Sequence, residues 1–205
     1  MCKRLIISGH YYRSIQKPGV EVVSDAIDHI EPRGGIVTAD STLHEVDVLV
    51  FATGGFDARA YVRPMSIVGE NGTTLDEVWA DGPHAYRSIA VPGFPNLFML
   101  MGPHSPIANQ SLVPVAEDQA DYAMWWIEQI RAGRVASAAP TEAATKKTYN
   151  EDIKAALPQT IWASGCNSWY IGKDGLPEVF PPWHPGRHRE LLRGPVVADF
   201  EVRTP

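Results

Sequence analysis

Cysteine is almost missing from the 205-residue sequence: Cys2 and Cys166 are the only two, and they form no C-x-x-C pair. So sparse a set specifies neither a zinc knuckle nor a disulfide framework, and a reducing compartment is the default. Long apolar runs are missing as well. The amino terminus offers only Leu5-Ile6-Ile7, far short of a signal-peptide core, and no stretch approaches the roughly 18 apolar residues of a membrane span. Basic charge is not in excess, because 18 Lys and Arg stand against 24 Asp and Glu, for a formal net charge of -6. That balance argues against nucleic acid or an acidic membrane as the main partner. A soluble, cytoplasmic protein is expected. No G-x-G-x-x-G occurs, although a dinucleotide-binding domain normally opens with one after its first strand. Met1 is therefore expected to begin inside a domain.

What is present is globular in character: 44% hydrophobic and 20% charged residues suffice for one large core or two small ones. Val20-Glu21-Val22-Val23 and Ala26 to Ile30 suggest strands. Pro32-Arg33-Gly34-Gly35 is a turn signal, and Ile36-Val37-Thr38 resumes as the second arm of a hairpin. The nearly continuous apolar runs Asp47 to Ala52 and Asn96 to Met101 suit strands buried on both faces, as in a parallel sheet. Thr74 is placed to cap a short helix through Trp79.

From Ser111 to Arg131, Val115, Gln119, Tyr122, Trp126 and Ile130 fall at helical spacing, flanked by Leu112, Ala116, Ala123 and Ile127. Pro114 stands in the first turn and Gly133 beyond the end, where each is tolerated. A second helix is expected from Thr141 to before Pro158. Short strands and loops are expected after it, around a turn at Lys173-Asp174-Gly175. His184 and His188 have the i, i+4 spacing of a helical metal pair, but Pro185 and Gly186 between them argue for turn histidines. No metal is expected. Trp125-Trp126 reads as helix core and rim, and Ser105 has no base beside it to make it a nucleophile.

Three stretches carry chemistry. Asp47 to Asp57, DVLVFATGGFD, is a strand ending in glycines, which let a backbone approach a cofactor at the carboxyl edge of a sheet. Phe94 to Pro106, FPNLFMLMGPHSP, leads directly into the long helix, whose amino end carries partial positive charge. Cys2-Lys3-Arg4-Leu5-Ile6-Ile7 followed by Tyr11-Tyr12, and Gly165-Cys166-Asn167-Ser168-Trp169-Tyr170 near the other end, complete the set. Together these resemble the ATG turn, the FPNLF…GP-x-SP run, the KR…YY stretch and the SWY segment of class B flavoprotein monooxygenases of the Baeyer–Villiger type. The resemblance covers nearly all of the chain. It departs at Gly54-Gly55, where the family pattern usually has one glycine before the aromatic residue, and at His104, where smaller residues or Asn are commoner.

The resemblance implies an α/β fold: the carboxy-terminal part of a flavoprotein with two Rossmann-like dinucleotide-binding domains, incomplete here. Residues 1–51 would end an NADPH-binding domain, and 52–205 would be the returning FAD-domain segment with its helices and tail. It implies FAD and NADPH as cofactors, a ketone and dioxygen as small-molecule partners, and oxygen insertion beside the carbonyl through a C4a-peroxyflavin. Arg4 would be the catalytic residue that steadies the flavin peroxide. Lys3 would read the 2′-phosphate of NADPH, with Thr53, Gly54, Gly102, Pro103, Ser105, Asn109 and Trp169 also cofactor-binding. The Gly-rich turns would lie in a missing upstream segment of the same enzyme, so the isolated chain is expected to be inactive. A flavin monooxygenase oxidising amines or sulfides, and a noncatalytic truncated module, are the alternatives.

Overall fold

The computed structural model describes residues 6–32, 34–52, 57, 59, 62, 64–106, 110–165 and 168–205, with the side chains of 148–150 excepted. The chain divides into two compact units, one over Leu5–Gly55 and a larger one that includes Phe56–Pro205.

The smaller unit holds a one-turn helix α1 (Tyr11–Ser14) and an antiparallel sheet of β1 (Ile27–Glu31), β2 (Gly35–Thr38) and β3 (Leu43–Glu45) in the order β1-β2-β3. The hairpin expected from the sequence forms, with Ile30 opposite Ile36 and Glu31 opposite Gly35. Asp40 secures the next turn. It accepts from Thr38 Oγ1 at 2.6 Å and Thr42 Oγ1 at 2.8 Å, and these bonds lower its carboxyl to about pKa 2.

Two of the strand expectations fail in this unit. Val20 to Val23 forms no strand. Asp47 to Ala52 is irregular, and Val48, Val50 and Phe51 are 78%, 77% and 71% exposed. The reason is physical: a strand of this kind is made by the neighbours that satisfy its backbone, and among the described residues no strand pairs with it.

In the larger unit, α2 (Leu75–Val78) begins at a capping box. Thr74 Oγ1 accepts from Glu77 N while the Glu77 carboxylate accepts from Thr74 N, so two otherwise orphaned donors are satisfied reciprocally. The 20-residue α3 (Leu112–Arg131) follows, N-capped by Ser111 Oγ, which accepts from Val113 N. Val115, Gln119, Tyr122, Ala123 and Trp126 form its buried stripe, as the periodicity requires. Leu112 and Ile127, also expected on that face, are 40% and 39% exposed. Trp126 lies in the core, with the Trp125 ring edge-on at 4.9 Å.

Next come β4 (Ser137–Pro140), α4 (Glu142–Thr145) capped by Thr141, a π-helical turn over Lys146–Glu151, and α5 (Asp152–Ala156). The second helix is thus three short pieces. α6 (Pro185–Leu191) corrects the reading of the histidine pair: a helix does form there, with Pro185 at its first position and His184 as its N-cap. Proline is tolerated at that position because the first N–H of a helix has no intrahelical partner. Finally β5 (Phe200–Arg203) pairs antiparallel with β4, Ala138 opposite Val202.

Two apolar clusters meet at one short segment. Ala85 and Val91 pack with Leu75, Trp79, Phe94 and Met99, whereas Tyr86, Ile89 and Ala90 pack with Tyr122, Trp126, Leu192 and Phe200. Between them Arg87 and Ser88 both take left-handed φ, at 48° and 65°. A hairpin turn of this hand normally uses Asn or Gly, so the conformation needs outside support. Arg87 supplies it: its Nη1 donates to Leu191 O at 2.6 Å, its guanidinium lies 3.8 Å from the Asp199 carboxylate, and it covers the Tyr86 ring. Tyr86 Oη donates to the same carboxylate.

The run Asn96 to Met101, expected as a buried strand, is not one. Leu97 and Met99 do face one cluster and Phe98 the other, so the alternation of faces is real. Its backbone makes only scattered bonds, among them Asn96 N to Ala138 O of β4 and Met99 N to Ile89 O, and among the described residues no strand pairs with it in a ladder.

Candidate functional site

The turn Met101 to Pro106 follows this run, and it is clamped from three directions. Gly102 lies against the Ser88 carbonyl of the left-handed turn so closely that a Cβ on it would stand 2.2 Å from that oxygen. Gln119, fully buried on α3, accepts from Met101 N at 2.7 Å through Oε1 and donates through Nε2 to Ser105 Oγ at 3.0 Å. His104 Nε2 donates to Pro177 O at 3.2 Å. Met101 and His104 both hold left-handed φ of 58°, a region that costs a non-glycine residue about 1–2 kcal/mol. The packing around the turn imposes this geometry.

Pro177 belongs to a second element of the site, the hairpin that follows Trp169. Gly172 N donates to Leu176 O and Glu178 N to Tyr170 O, closing the expected Lys173-Asp174-Gly175 turn. Trp162, Tyr170 and Phe180 stack beneath it, Trp162 on Phe180 at 4.5 Å. Trp169 is not part of that stack's core. It is 38% exposed and lines a cavity of about 260 Å³ with Arg59, Gly172, Lys173 and Glu178. A larger cavity of about 510 Å³ lies between the hairpin, the Asp81-Gly82-Pro83-His84 loop and the 146–157 helices, with His104 in its wall. Glu178 borders both cavities, and burial raises its carboxyl above the usual range.

Of the residues expected at the site, Gly102, Pro103 and Ser105 are buried together in the turn, and Trp169 stands on the hairpin. Lys3, Arg4, Thr53, Gly54 and Asn109 lie outside the described residues. His104 binds the turn to the hairpin through Pro177. Gln119 has a role that periodicity alone does not assign. The available signal was an amide in the middle of an apolar stripe, where a buried polar group needs a partner. His184 is the N-cap of α6 and His188 is buried within it; among the described residues no group of three His, Cys, Asp or Glu is placed for a metal ion. Among those residues, too, no helix is long and apolar enough to cross a membrane.

His104 and His188 make the fold acid-sensitive. Burial depresses each to about pKa 4, opposed for His104 by the Pro177 bond and for His188 by Asp118. Both are therefore neutral in the folded chain while the unfolded chain takes up protons near pH 6.5. Stability is full above that pH, falls as pH drops from 6.5, and reaches its full loss near pH 4, by up to about 3 kcal/mol for each histidine. Urea melts at pH 7.5 and 4.5 should show this loss, and His188→Leu should reduce it. An identical pH dependence in that variant would remove His188 as a cause.

No protein-family profile matches the chain. Individual relatives match nearly all of it. A monooxygenase of Mycobacterium tuberculosis, described as uncharacterized, is 50% identical over 203 residues, which are 99% of this chain and 40% of the relative. A Baeyer-Villiger monooxygenase of Streptomyces coelicolor is 31% identical over 206 residues, covering 100% of this chain and 39% of the relative. An FAD-binding monooxygenase of Aspergillus terreus is 33% identical over 186 residues, 90% of this chain and 32% of the relative. Among solved structures, cyclohexanone monooxygenase from Rhodococcus bound to NADP+ superimposes with a TM-score of 0.86 at 29% identity, over 100% of this chain and 39% of that one. The part matched is the carboxy-terminal part of that enzyme.

The fold is thus that of a flavoprotein monooxygenase. Over nearly its whole length the chain is similar to the carboxy-terminal part of Baeyer–Villiger members of these enzymes, and it spans about two-fifths of the length of the first curated relatives it matches.

Proposed function

We propose that this chain contributes to an FAD- and NADPH-dependent monooxygenase that inserts one atom of dioxygen beside a ketone carbonyl, giving an ester or lactone. The observation that carries the reading is the whole-length superposition on cyclohexanone monooxygenase, with a TM-score of 0.86. The net reaction balances as ketone, O2, NADPH and a proton going to ester, NADP+ and water.

The residues at the start of α3 fit a flavin. The positive end of a 20-residue helix suits the electron-rich carbonyl edge of an isoalloxazine, which gains negative charge on reduction. Leu112 and Val113 there are 40% and 62% exposed and offer apolar surface to a flat ring. FAD, when bound, supplies the electrons by which dioxygen is divided between product and water. The protein's own residues do the rest. Gly102, Pro103 and Ser105 fix the turn that would hold the flavin, while Thr53, Gly54 and Asn109 would help to bind the cofactor. Lys3 places charge on the 2′-phosphate of NADPH, and Arg4 places fixed positive charge where negative charge develops on oxygen. Trp169 offers a flat face and one N–H donor to nicotinamide nucleotide or substrate. We place the enzyme in the cytoplasm.

Product analysis tests the reading. Holoenzyme carrying this chain, given NADPH, dioxygen and a series of cyclic and linear ketones, is expected to yield about one ester per NADPH consumed. Sulfoxides or amine oxides from the corresponding substrates, with no ester from any ketone, would overturn it.

A further inference from the structure

Gln119 is fully buried, and its amide orientation is dictated by its neighbours. A backbone N–H can only donate, so the atom 2.7 Å from Met101 N must be the amide oxygen. The amide nitrogen is then left for Ser105, whose Oγ accepts at 3.0 Å. One side chain thus spans both ends of the turn, from its first residue to its fifth. It holds Met101 in the left-handed conformation, with φ at 58°, that aims the chain into Gly102.

Gln119 also sits within the buried stripe of α3 beside Val115, Tyr122 and Trp126, so its own position is fixed by the helix. A rigid element therefore reads out into an irregular one through two hydrogen bonds. We propose that Gln119 is a positioning residue: it sets the conformation of the Met101–Ser105 turn and so the surface this turn offers to the cofactor. The effect on cofactor rests on the flavin reading given above, whereas the effect on the turn does not.

Three variants of the holoenzyme separate these two claims. Gln119→Met keeps the bulk and removes both bonds. Gln119→Glu keeps an acceptor for Met101, and the Ser105 hydroxyl can turn round to donate to the other carboxyl oxygen. Ser105→Ala removes one bond only. Amide hydrogen exchange reads the turn directly: in Gln119→Met the Met101 amide is expected to exchange about tenfold faster or more, with Tyr122 and Trp126 in α3 still protected. In Gln119→Glu and Ser105→Ala, Met101 should remain protected.

An unchanged Met101 amide in Gln119→Met overturns the assignment. If that variant loses its fold, Gln119→Glu decides: a Met101 amide as open there as those of exposed loops overturns the assignment, and a protected one supports it. The flavin absorption band and the ester-to-NADPH ratio read the cofactor side. A freed turn with both unchanged leaves Gln119 as the residue that positions the turn and refutes the placement of flavin beside it.

Discussion

Gly102→Ala is expected to destabilise the larger unit by about 3 kcal/mol or more, among the larger effects a single added methyl can have. The methyl would stand 2.2 Å from the Ser88 carbonyl oxygen and 3.1 Å from its carbon. Nothing flexible is in the way that could move aside. The obstacle is backbone, in a left-handed turn that Arg87 ties to Leu191 and Asp199. Relief would require moving the Tyr86–Ala90 turn, whose residues pack in the main core. Tryptophan fluorescence in a urea titration reports the loss, since Trp79 and Trp126 are fully buried. Gly194→Ala is the control: its Cβ would meet nothing within 4 Å, and its midpoint should stay where it is. Equal midpoints for both variants would show that the turn and Ser88 are not in rigid contact.

Arg4→Ala is expected to separate NADPH oxidation from ester formation. If Arg4 has the role we propose, hydride transfer from NADPH to flavin does not need it, because no anionic oxygen is present in that step. Oxygen insertion does. Loss of a preorganised charged donor from a water-poor site costs about 3 kcal/mol, roughly a hundredfold in rate. Ester should therefore fall about a hundredfold while NADPH consumption continues and hydrogen peroxide accumulates. Arg4→Lys should not restore it, because an ammonium lacks the planar fork of donors of a guanidinium. Ester measured by chromatography beside a peroxide assay gives the coupling. An alanine variant with unchanged ester per NADPH would remove Arg4 from the oxygenation step.

The features legible in the amino-acid sequence are those whose cause is local. The stripe of α3, the Thr74 cap of α2 and the hairpin of β1 and β2 each depend on residues within a few positions of one another. The GP-x-SP and SWY segments, being short and contiguous, likewise pointed to the family. Where a strand was expected and did not form, the deciding partner was missing from the ladder. Asp47 to Ala52 and Asn96 to Met101 have the composition of buried strands, but composition cannot supply the neighbouring strand that makes one. β4 is a strand because Phe200–Arg203 lies beside it, some sixty residues later.

Only the tertiary structure decided how the turn is held. Gln119 reaches Met101 and Ser105 from 18 and 14 residues away, His104 reaches Pro177 from 73, and Arg87 reaches Leu191 from 104. A polar side chain in a sequence announces that it needs a partner and does not say which, because burial removes water everywhere at once and leaves the choice to whatever the packed core brings within 3 Å.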